Sequence, residues 1–432
     1  MDIRLDHPEV LSDFEAAPAR RMRGWTGVAL GLWLLLVAGD WVARFGVFRW
    51  HRQWIPSSAA APTVVSGSET AEAKTLSVPA QTGAGLTAML ALPRVVPRYA
   101  EFHPGYSVAV DRFGYRNAPL PEGRSHDIVM MGDSFLLSLG TQDVAQVLSR
   151  IGEVGVYNHA TRGAGPFLEM RLFLWSGRFK PLPRVVVWNL AARDLVGSLF
   201  QRQAVDDWFA GWKDPLIDEI VATTRIQWNR LAPSELHKAW PNTSLAAYAS
   251  RQAWSRIKFA VFREWPRDVL GADDPQFGPM LFYRDNLRVL PTLTPEADAP
   301  AVVQTVLNVA ARFRERGMAL VLLLVPEKEQ IHARALSAAD QEALARGPEL
   351  MSAIEDGLKG GGVPVVNLMP VFQEATARGA QLYWRDDTHW NDAGIRLAAE
   401  ELWRVTEPLL EEKQESTSNI QHSISNDPVS DR

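Results

Sequence analysis

The chain contains no cysteine, and its acidic and basic residues are close to balance. The lack of cysteine excludes disulfides, thiolate metal sites and cysteine nucleophiles, and it leaves the redox compartment undecided. The 45 basic and 50 acidic residues give a net charge of −5, without the clustered basic face of a nucleic-acid-binding protein, so we expect no nucleic-acid partner. With 432 residues, 47% of them hydrophobic, the chain is long enough for one large domain or two modest ones.

One hydrophobic run near the N-terminus has the character of a membrane segment. It extends from Gly24 to Gly39 without a charged residue, and the following sequence lengthens it, so we predict a transmembrane anchor at 24–48. Three arginines end at Arg23 just before it, which predicts a cytoplasmic N-terminus at 1–23 and the rest of the chain across the membrane. The alternative is a signal peptide cleaved near Val37–Gly39, for which the preceding segment is unusually long.

Two further segments have compositions typical of linkers and tails. Small and polar residues without a helical or strand period dominate from Pro56 to Gly83, so we predict a linker and lead-in at 49–98. The last stretch, 412–432, is polar and rich in Ser, Asn and Gln, which predicts a disordered tail. The remaining residues, 99–411, form the predicted catalytic domain.

Within that domain, short apolar runs alternate with amphipathic segments. The apolar runs are β-branched and nearly continuous, as parallel strands covered on both faces are. The predicted strands are Asp127–Asp133, Val154–Asn158, Val185–Leu190, Met318–Pro326 and Val363–Leu368. The alternation predicts an α/β fold, a three-layer α/β/α sandwich around a mostly parallel sheet, with its sites at the carboxyl ends of the strands.

A long insert, at about 196–302, separates the third and fourth predicted strands. Its pattern is helical and rich in tryptophan, so we predict a packed helical cap over the sheet. The chain has 16 tryptophans, and we expect most of them to pack in cores. Stacking on sugar rings in a carbohydrate groove is the alternative for some of them.

Polar residues follow the first three predicted strands. Ser134 directly follows the first and begins a helix, where backbone N–H groups and the helix dipole stabilise negative charge. Gly163 lies in a glycine-rich loop after the second strand, where a backbone amide can approach a ligand, and Arg193 follows the third. Because the carboxyl ends of parallel strands share one edge of a sheet, we expect these residues to lie near each other.

A late segment, YWRDDTHWNDAG, adds an acid and a base to this set. Alone, GDSF is compatible with a simple helix cap, and DDTHW with a capped turn. Together they supply the nucleophile, the base and the acid of a serine site, with either Asp386 or Asp387 beside His389. A zinc site needs three protein ligands, and no other histidine has a ligand-like spacing to His389, so we predict no metal and no cofactor.

These motifs resemble the SGNH (GDSL-like) hydrolase superfamily, and they extend over about Asp111–Leu410. The resemblance is carried by DRFGYRN at 111–117, GDSF at 132–135, NHATRGAGP at 158–166 and DDTHWN at 386–391. In addition, VPEKEQIH at 325–332 together with DTHWN is similar to membrane-anchored alginate-type polysaccharide O-acetyltransferases. Those proteins often carry the Asp-His element ahead of the serine, whereas here the serine comes first.

The resemblance implies a flavodoxin-like sheet and a role for each motif. It implies Ser134 as the nucleophile, His389 as the base, and the amides of Ser134 and Gly163 as an oxyanion hole. Arg193 stands where the superfamily has asparagine, and it would assist the oxyanion hole. The DxHW pattern selects Asp387 as the orienting acid.

The alternative acid and the substrate-binding residues are assigned on weaker patterns than the triad. The DxxH spacing of ordinary SGNH esterases makes Asp386 the alternative acid. Lys328, Arg385 and Trp390 are the residues that we expect to contact substrate, the two cations by binding an anionic sugar.

The resemblance also implies an enzyme, for which we expect an O-acyltransferase, most simply an O-acetyltransferase, acting on the hydroxyls of an envelope or secreted polysaccharide. A periplasmic carbohydrate esterase or deacetylase would use the same triad with water. A catalytically silent glycan-binding or assembly protein is the third possibility. The implied partners are the polysaccharide acceptor and a membrane-bound O-acyltransferase protein that supplies acyl groups. The implied location is the bacterial inner membrane, with a single span and the catalytic domain in the periplasm.

Overall fold

The computed structural model describes residues 31–35, 63–66, 73–83, 86 and 96–425, except for 112, 122–123, 139, 162, 164, 178, 211–244, 263 and 266–267. The strands are β1 (Thr63–Ser66), β2 (Ala73–Val78), β3 (Gln81–Thr82), β4 (Phe102–His103), β5 (Tyr106–Asp111), β6 (Ile128–Gly132), β7 (Val156–Ala160), β8 (Val185–Ala191), β9 (Val269–Asp274), β10 (Gly278–Tyr283), β11 (Ala319–Val325) and β12 (Val365–Asn367). The helices in the first half are α1 (Val96–Tyr99), α2 (Ser134–Leu137), α3 (Val144–Gly152), α4 (Leu168–Ser176), α5 (Gly197–Gln201), α6 (Val205–Ala210) and α7 (Leu245–Phe262). Those in the second half are α8 (Asn286–Val289), α9 (Pro295–Arg314), α10 (Lys328–Ile331), α11 (Ala338–Leu344), α12 (Gly347–Gly360), α13 (Leu368–Ala377) and α14 (Asp392–Ser425).

Five strands form one parallel sheet, in the order β12-β11-β8-β6-β7. Every residue of β6 and of β8 is buried. Because successive side chains of a strand point to opposite faces, this burial means that both faces of the sheet are covered. The predicted α/β fold with a mostly parallel sheet is confirmed, and each of the five predicted strands is present within a few residues.

Helices cover the sheet in two groups. Helices α9 and α12 pack against each other, as do α3 and α14, and both α9 and α14 contact β11. The amphipathic segments that alternate with the predicted strands therefore include α9 and α14. Helix α14 begins directly after the DDTHW segment, so it fixes the place where that segment returns to the sheet edge.

The insert at 196–302 differs from the predicted helical cap. Its described part contains the expected helices α5, α6 and α7, but also an antiparallel hairpin of β9 and β10 and the start of α9. Asp274 forms the hairpin turn by accepting the backbone N–H groups of Gln276 and Phe277, and Gly278 follows with a φ of 77°. The Asp-Asp-Pro-Gln-Phe-Gly sequence is a turn signal that the surrounding tryptophan-rich helical pattern obscured.

The lead-in at 49–98 is more ordered than the predicted linker. Strands β1, β2 and β5 form a three-stranded antiparallel sheet, and β3 pairs with β4. Leu86 is buried in a small second core with Tyr99, Val269 and Leu281. These segments have few apolar residues, and backbone pairing with β4 and β5 joins them to the catalytic domain. The small and polar side chains of their sequence give no signal of this pairing.

The predicted anchor at 24–48 lies mostly outside the described residues, of which only 31–35, a helical stretch, belong to it. Within the ranges that the structure describes, no helix is both long and apolar enough to cross a membrane. At the other end, α14 continues to Ser425 and takes in part of the predicted disordered tail at 412–432. The Glu, Lys and Gln residues that follow Leu410 are good helix formers, which accounts for the extension.

Candidate active site

Ser134 lies at the carboxyl end of β6, as the first residue of α2. Asp133 caps this helix by accepting the backbone N–H of Phe135 at 3.0 Å. A Cβ on Gly132 would lie 2.7 Å from the Cβ of Asn189, so only glycine lets the turn pass so close to β8. Ser134 is 8% exposed, and it lies at the start of a helix, where the first backbone N–H groups have no partner within the helix itself.

His389 and Asp387 complete a chain of hydrogen bonds with Ser134. The Nε2 atom of His389 lies 2.7 Å from the Oγ atom of Ser134, across 255 residues of sequence. Its Nδ1 atom lies 2.5 Å from Oδ1 of Asp387, which also accepts the backbone N–H of His389 at 2.9 Å. A carboxylate at Nδ1 keeps the proton on that nitrogen, so Nε2 is free to accept the serine proton. This arrangement can support attack by the serine on an acyl carbon.

The environment of Asp387 keeps its carboxyl group ionised. Burial acts to raise its pKa, but the charge of His389 and the two hydrogen bonds from that residue outweigh burial and hold the pKa of Asp387 below its ordinary value. An ionised Asp387 can orient the imidazole and stabilise the imidazolium that forms when the serine is deprotonated.

The depressed pKa of Asp387 gives a pH-dependent term in stability. The unfolded chain, with an aspartate pKa near 3.8, binds this proton more tightly than the folded protein does. The stabilisation is therefore present above pH 3.8 and lost as pH falls through the lower folded-state pKa. We expect the difference in unfolding free energy between wild type and Asp387→Asn to shrink as pH falls below 3.8, as measured by urea denaturation. A difference that stays constant over this range would contradict the ionised state of Asp387.

Asp386 is engaged elsewhere. Its Oδ1 atom lies 2.8 Å from Nε2 of His103, and its Oδ2 atom accepts the backbone N–H of Glu101 at 2.8 Å. Its backbone carbonyl accepts the N–H of Leu86 at 3.0 Å. Asp386 therefore ties the segment before His389 to the lead-in, and the structure places Asp387, not Asp386, against the histidine.

Trp390 does not line an open surface, contrary to the predicted substrate contact. Its side chain is fully buried, and its indole N–H donates to the carbonyl oxygen of Phe135 at 2.8 Å. The Phe135 ring also lies 5.2 Å from the ring of His389. Because an indole in a core must satisfy its one donor, Trp390 joins the histidine segment to the serine helix.

Lys328 is also buried, so the prediction that it contacts an anionic sugar is wrong. Its Nζ atom lies within 2.6–3.0 Å of four backbone carbonyl oxygens, those of Leu281, Trp384, Arg385 and Asp387. Burial lowers the pKa of Lys328 to about 8. Sequence alone could not show this arrangement, because the four carbonyls come from segments distant from Lys328.

Arg385 retains the accessibility that a substrate contact requires. Its side chain is 30% exposed, and its Nε atom lies 3.9 Å from Oε1 of Glu101. Its backbone is fixed on both sides, since its N–H donates to Oε2 of Glu101 at 2.7 Å and its carbonyl accepts the N–H of Leu281 at 2.8 Å. The guanidinium therefore projects from a fixed backbone position near the histidine segment.

Arg193 is bound to two carboxylates beside the serine turn. Its Nη2 atom lies 2.7 Å from Oδ2 of Asp133, and its Nη1 atom lies 2.8 Å and 3.0 Å from the two oxygens of Glu327. Burial acts to lower the pKa of Arg193, but Glu327 and Asp133 outweigh it and raise the pKa above its ordinary value, so the guanidinium remains charged. Its side chain is 23% exposed, and its contact with Asp133 places the cation beside the turn that carries Ser134.

Gly163 lies in the loop that leaves β7 next to the serine turn. Gly132 pairs with Ala160 in the register of β6 and β7, and the N–H of Thr161 donates to the carbonyl of Gly132 at 3.3 Å. Gly163 follows with a φ of 70°, and it is exposed. This left-handed conformation favours glycine.

The GYRN lead-in has a structural role in this part of the fold. Arg116 donates to the carbonyl oxygens of Leu137, Gly140 and Thr141, and its Nε atom lies 3.0 Å from Oδ2 of Asp143. It therefore supports the loop that follows the serine helix. In the part of the chain that the structure describes, no group of three or more His, Asp or Glu side chains could hold a metal ion.

Sequence reasoning missed several residues that support the site, namely Glu101, His103, Asp133, Asn286 and Glu327. The VPEKEQIH motif was the available signal for Glu327, but adjacent charges in a sequence usually indicate a solvated surface. Asp133 was visible in GDSF as a helix cap, and its ion pair with Arg193 was not.

Comparisons with known proteins agree with the motifs. Residues 280–427 match the family model for the SGNH hydrolase-like domain of acetyltransferase AlgX. A curated protein of Pseudomonas syringae pv. tomato, "Probable alginate O-acetylase AlgJ", is 25% identical over 182 residues, which cover 41% of this chain and 42% of that protein. The protein of the same name in Pseudomonas putida is 28% identical over 150 residues, 34% of this chain and 36% of the relative. The resemblance to SGNH proteins of the alginate O-acetyltransferase type is confirmed.

These matches cover only part of each chain. The matched segments span less than half the length of the two relatives. The family match includes Asp387 and His389 but not Ser134. Among solved structures, an α/β hydrolase named LAE5, from the metagenome of Lake Arreo, aligns with a TM-score of 0.33 and 13% identity over 66% of this chain and 97% of that one.

Proposed function

We propose that this chain is an O-acyltransferase, most simply an O-acetyltransferase, that modifies hydroxyl groups of an envelope or secreted polysaccharide through an acyl-Ser134 intermediate. The observation that carries the proposal is the hydrogen-bonded series Ser134–His389–Asp387 at the carboxyl edge of the sheet. It is supported by the similarity of the histidine-bearing segment to acetyltransferases of the AlgX type.

In the acylation step, His389 acts as the general base. Its Nε2 atom takes the proton of Ser134 while Oγ attacks the acyl carbon of the donor, and Asp387 stabilises the imidazolium. The negative charge that develops on the acyl oxygen is stabilised by the backbone amides of Ser134 and Gly163, with Arg193 as a nearby cation. When the tetrahedral intermediate collapses, the donor's leaving group departs with the proton from His389.

In the second step, a sugar hydroxyl replaces the donor. It gives its proton to Nε2 of His389 and attacks the carbonyl carbon of the acyl-serine. Collapse of this intermediate breaks the bond to Ser134 Oγ, which recovers the proton, and it releases the sugar ester. Arg385, with its exposed guanidinium, is the residue that we propose binds an anionic sugar.

We further propose a single-pass location in the bacterial inner membrane, with the catalytic domain in the periplasm. The support is the hydrophobic run at 24–48 with its preceding arginines. The acyl donor would be presented by a membrane-bound O-acyltransferase protein, because a periplasmic domain has no direct access to cytoplasmic acyl donors. The relatives named alginate O-acetylases favour a polysaccharide as the acceptor.

Transfer and hydrolysis differ in what removes the acyl group from Ser134. The purified chain would be given a chromogenic acetyl ester, with either an alginate-derived oligosaccharide or a neutral glucan oligosaccharide at matched concentration. We expect the anionic oligosaccharide to gain acetyl groups by mass spectrometry, and to speed release of the chromophore if deacylation limits turnover.

Two results would contradict transfer. Acetate release that is unaffected by any acceptor, without an acetylated sugar, would identify a carbohydrate esterase, which the serine-first order of the motifs also permits. The absence of an acyl-enzyme, together with binding of the glycan, would identify a catalytically silent glycan-binding protein.

A further inference from the structure

Three consecutive ionisable side chains lie in the interior at the carboxyl end of β11. Glu327, Lys328 and Glu329 are each fully buried. Charged side chains are rarely buried, because removing them from water is costly unless partners compensate for it. The partners of each residue therefore indicate what the segment is for.

Glu327 is connected to the serine. Both of its carboxylate oxygens contact Nη1 of Arg193, at 2.8 Å and 3.0 Å, and Nη2 of Arg193 contacts Asp133 at 2.7 Å. Asp133 in turn accepts the N–H of Phe135, so its carboxylate fixes the turn in which Ser134 lies. The guanidinium also lies over the Phe135 ring, 5.3 Å from its centre. A continuous series of contacts thus runs from Glu327 to both neighbours of Ser134.

Lys328 is connected to the histidine. Three of its four carbonyl partners belong to the segment just before His389, and the fourth belongs to β10: Trp384 (2.6 Å), Arg385 (2.9 Å), Asp387 (3.0 Å) and Leu281 (2.8 Å). A fixed cation at the centre of these carbonyls determines the course of the backbone. The position of the Asp387 carboxylate, and so of the imidazole that it contacts, follows from that course.

Glu329 differs from its two neighbours, because it contacts neither half of the site. Its carboxylate accepts the N–H of Tyr283 at 2.7 Å and the amide of Asn286 at 2.9 Å. The same Asn286 amide donates to Glu327 at 2.9 Å, which fixes the orientation of that carboxylate. Glu329 therefore fastens the segment to the end of the β9–β10 hairpin.

We propose that Glu327 and Lys328 are positioning residues that hold the two halves of the triad at the correct separation, Glu327 acting on Ser134 through Arg193 and Asp133, and Lys328 acting on His389 through the backbone of residues 384–387. Neither side chain touches the reacting atoms. The inference rests on the proposed function, since it assigns these residues to the same site.

The test is the reactivity of Ser134 toward a fluorophosphonate, which labels an activated serine without a donor or an acceptor. We would compare the full chain with Glu327→Gln, which keeps the size of the side chain, and with Lys328→Met. In both variants we expect the maximal labelling rate to fall by about 10- to 100-fold, with little change in the concentration for half-maximal rate. A lower maximal rate at an unchanged half-maximal concentration is specific for misplaced reacting groups. A loss of folded protein would instead lower the amount of labelled protein and leave the rate per folded molecule unchanged.

Asp274→Asn is the matched control. Asp274 is a buried carboxylate whose contacts are with His332, at 3.0 Å, with Arg334 and with the turn of the β9–β10 hairpin, so we expect its replacement to lower stability while Ser134 and His389 keep their contacts. We expect this variant to lose thermal stability and to keep the wild-type labelling rate. Lys328→Met removes a buried cation, which can prevent folding. If the Lys328→Met protein does not fold, the isosteric Glu327→Gln variant is used alone to test the positioning role.

The possible failures are distinguishable. Folded Glu327→Gln protein that is labelled at the wild-type rate would overturn the positioning role, as would an equal loss of rate in Asp274→Asn. If wild type itself is not labelled at Ser134, the proposed function fails, and the positioning role fails with it.

Discussion

Ser134→Ala is expected to abolish the acyl-enzyme and to lower turnover of a chromogenic acetyl ester by about 10⁵- to 10⁶-fold. In the proposed triad the serine Oγ atom forms the acyl bond, and it is the hydroxyl that lies 2.7 Å from Nε2 of His389. The change removes one hydroxyl from a partly open position, so the fold should be preserved. Intact-protein mass spectrometry after brief exposure to the ester measures the acyl-enzyme, and steady-state kinetics measure turnover.

A buried serine on another helix gives the control for this experiment. The hydroxyl of Ser176 donates to the carbonyl oxygen of Phe173 at 3.1 Å, in the last turn of α4. Ser176→Ala should keep both the acyl-enzyme and the turnover of wild type. Undiminished turnover by Ser134→Ala would remove the basis of the serine mechanism.

The second large effect separates two neighbouring carboxylates. Asp387→Asn should lower kcat by about 10⁴-fold, because an amide that donates to Nδ1 of His389 stabilises the tautomer with its proton on Nε2, which cannot accept the serine proton. Asp386→Asn removes neither partner of the Asp387–His389 contact, and it alters the contacts of residue 386 with His103 and Glu101. Its expected effect is a loss of stability of roughly 1–3 kcal/mol, with kcat close to that of wild type.

The adjacent positions make each variant the control for the other. Both remove one carboxylate charge from a buried site, and both keep the shape of the side chain. Circular dichroism and a thermal unfolding curve for each protein establish how much of it is folded before kcat is compared. A loss of activity in Asp386→Asn with full activity in Asp387→Asn would reverse the assignment of the orienting acid.

The parts of the fold that were predictable from the sequence are those with a strong local signal. Strands β6, β8 and β11 read as continuous hydrophobic runs because helices cover both faces of the sheet, which leaves no polar face to produce an alternating pattern. The edge at which Ser134 and His389 meet was predictable for a related reason, since parallel strands present their carboxyl ends together.

The parts that could not be predicted depend on long-range burial. The ammonium group of Lys328 and the indole N–H of Trp390 are polar groups that usually reach water at the surface. In the folded chain, backbone carbonyl oxygens from distant segments accept their hydrogen bonds in the interior. The hairpin of β9 and β10 was missed because its turn signal lies within a helical pattern. The strands of the lead-in were missed because small residues give a weak strand pattern, although they pair with β5 and β4.

The separation of 255 positions between Ser134 and His389 has a consequence for the newly made chain. Synthesis proceeds from the N-terminus, so the proposed nucleophile exists long before its base. Contacts between residues so far apart in sequence form late, after the intervening strands have taken their places. Until α14 docks and brings Nε2 of His389 within hydrogen-bond distance of Oγ of Ser134, Ser134 is an ordinary serine of low reactivity. If the proposed mechanism holds, an incomplete chain therefore should not form a dead-end ester at Ser134 before the histidine segment is in place.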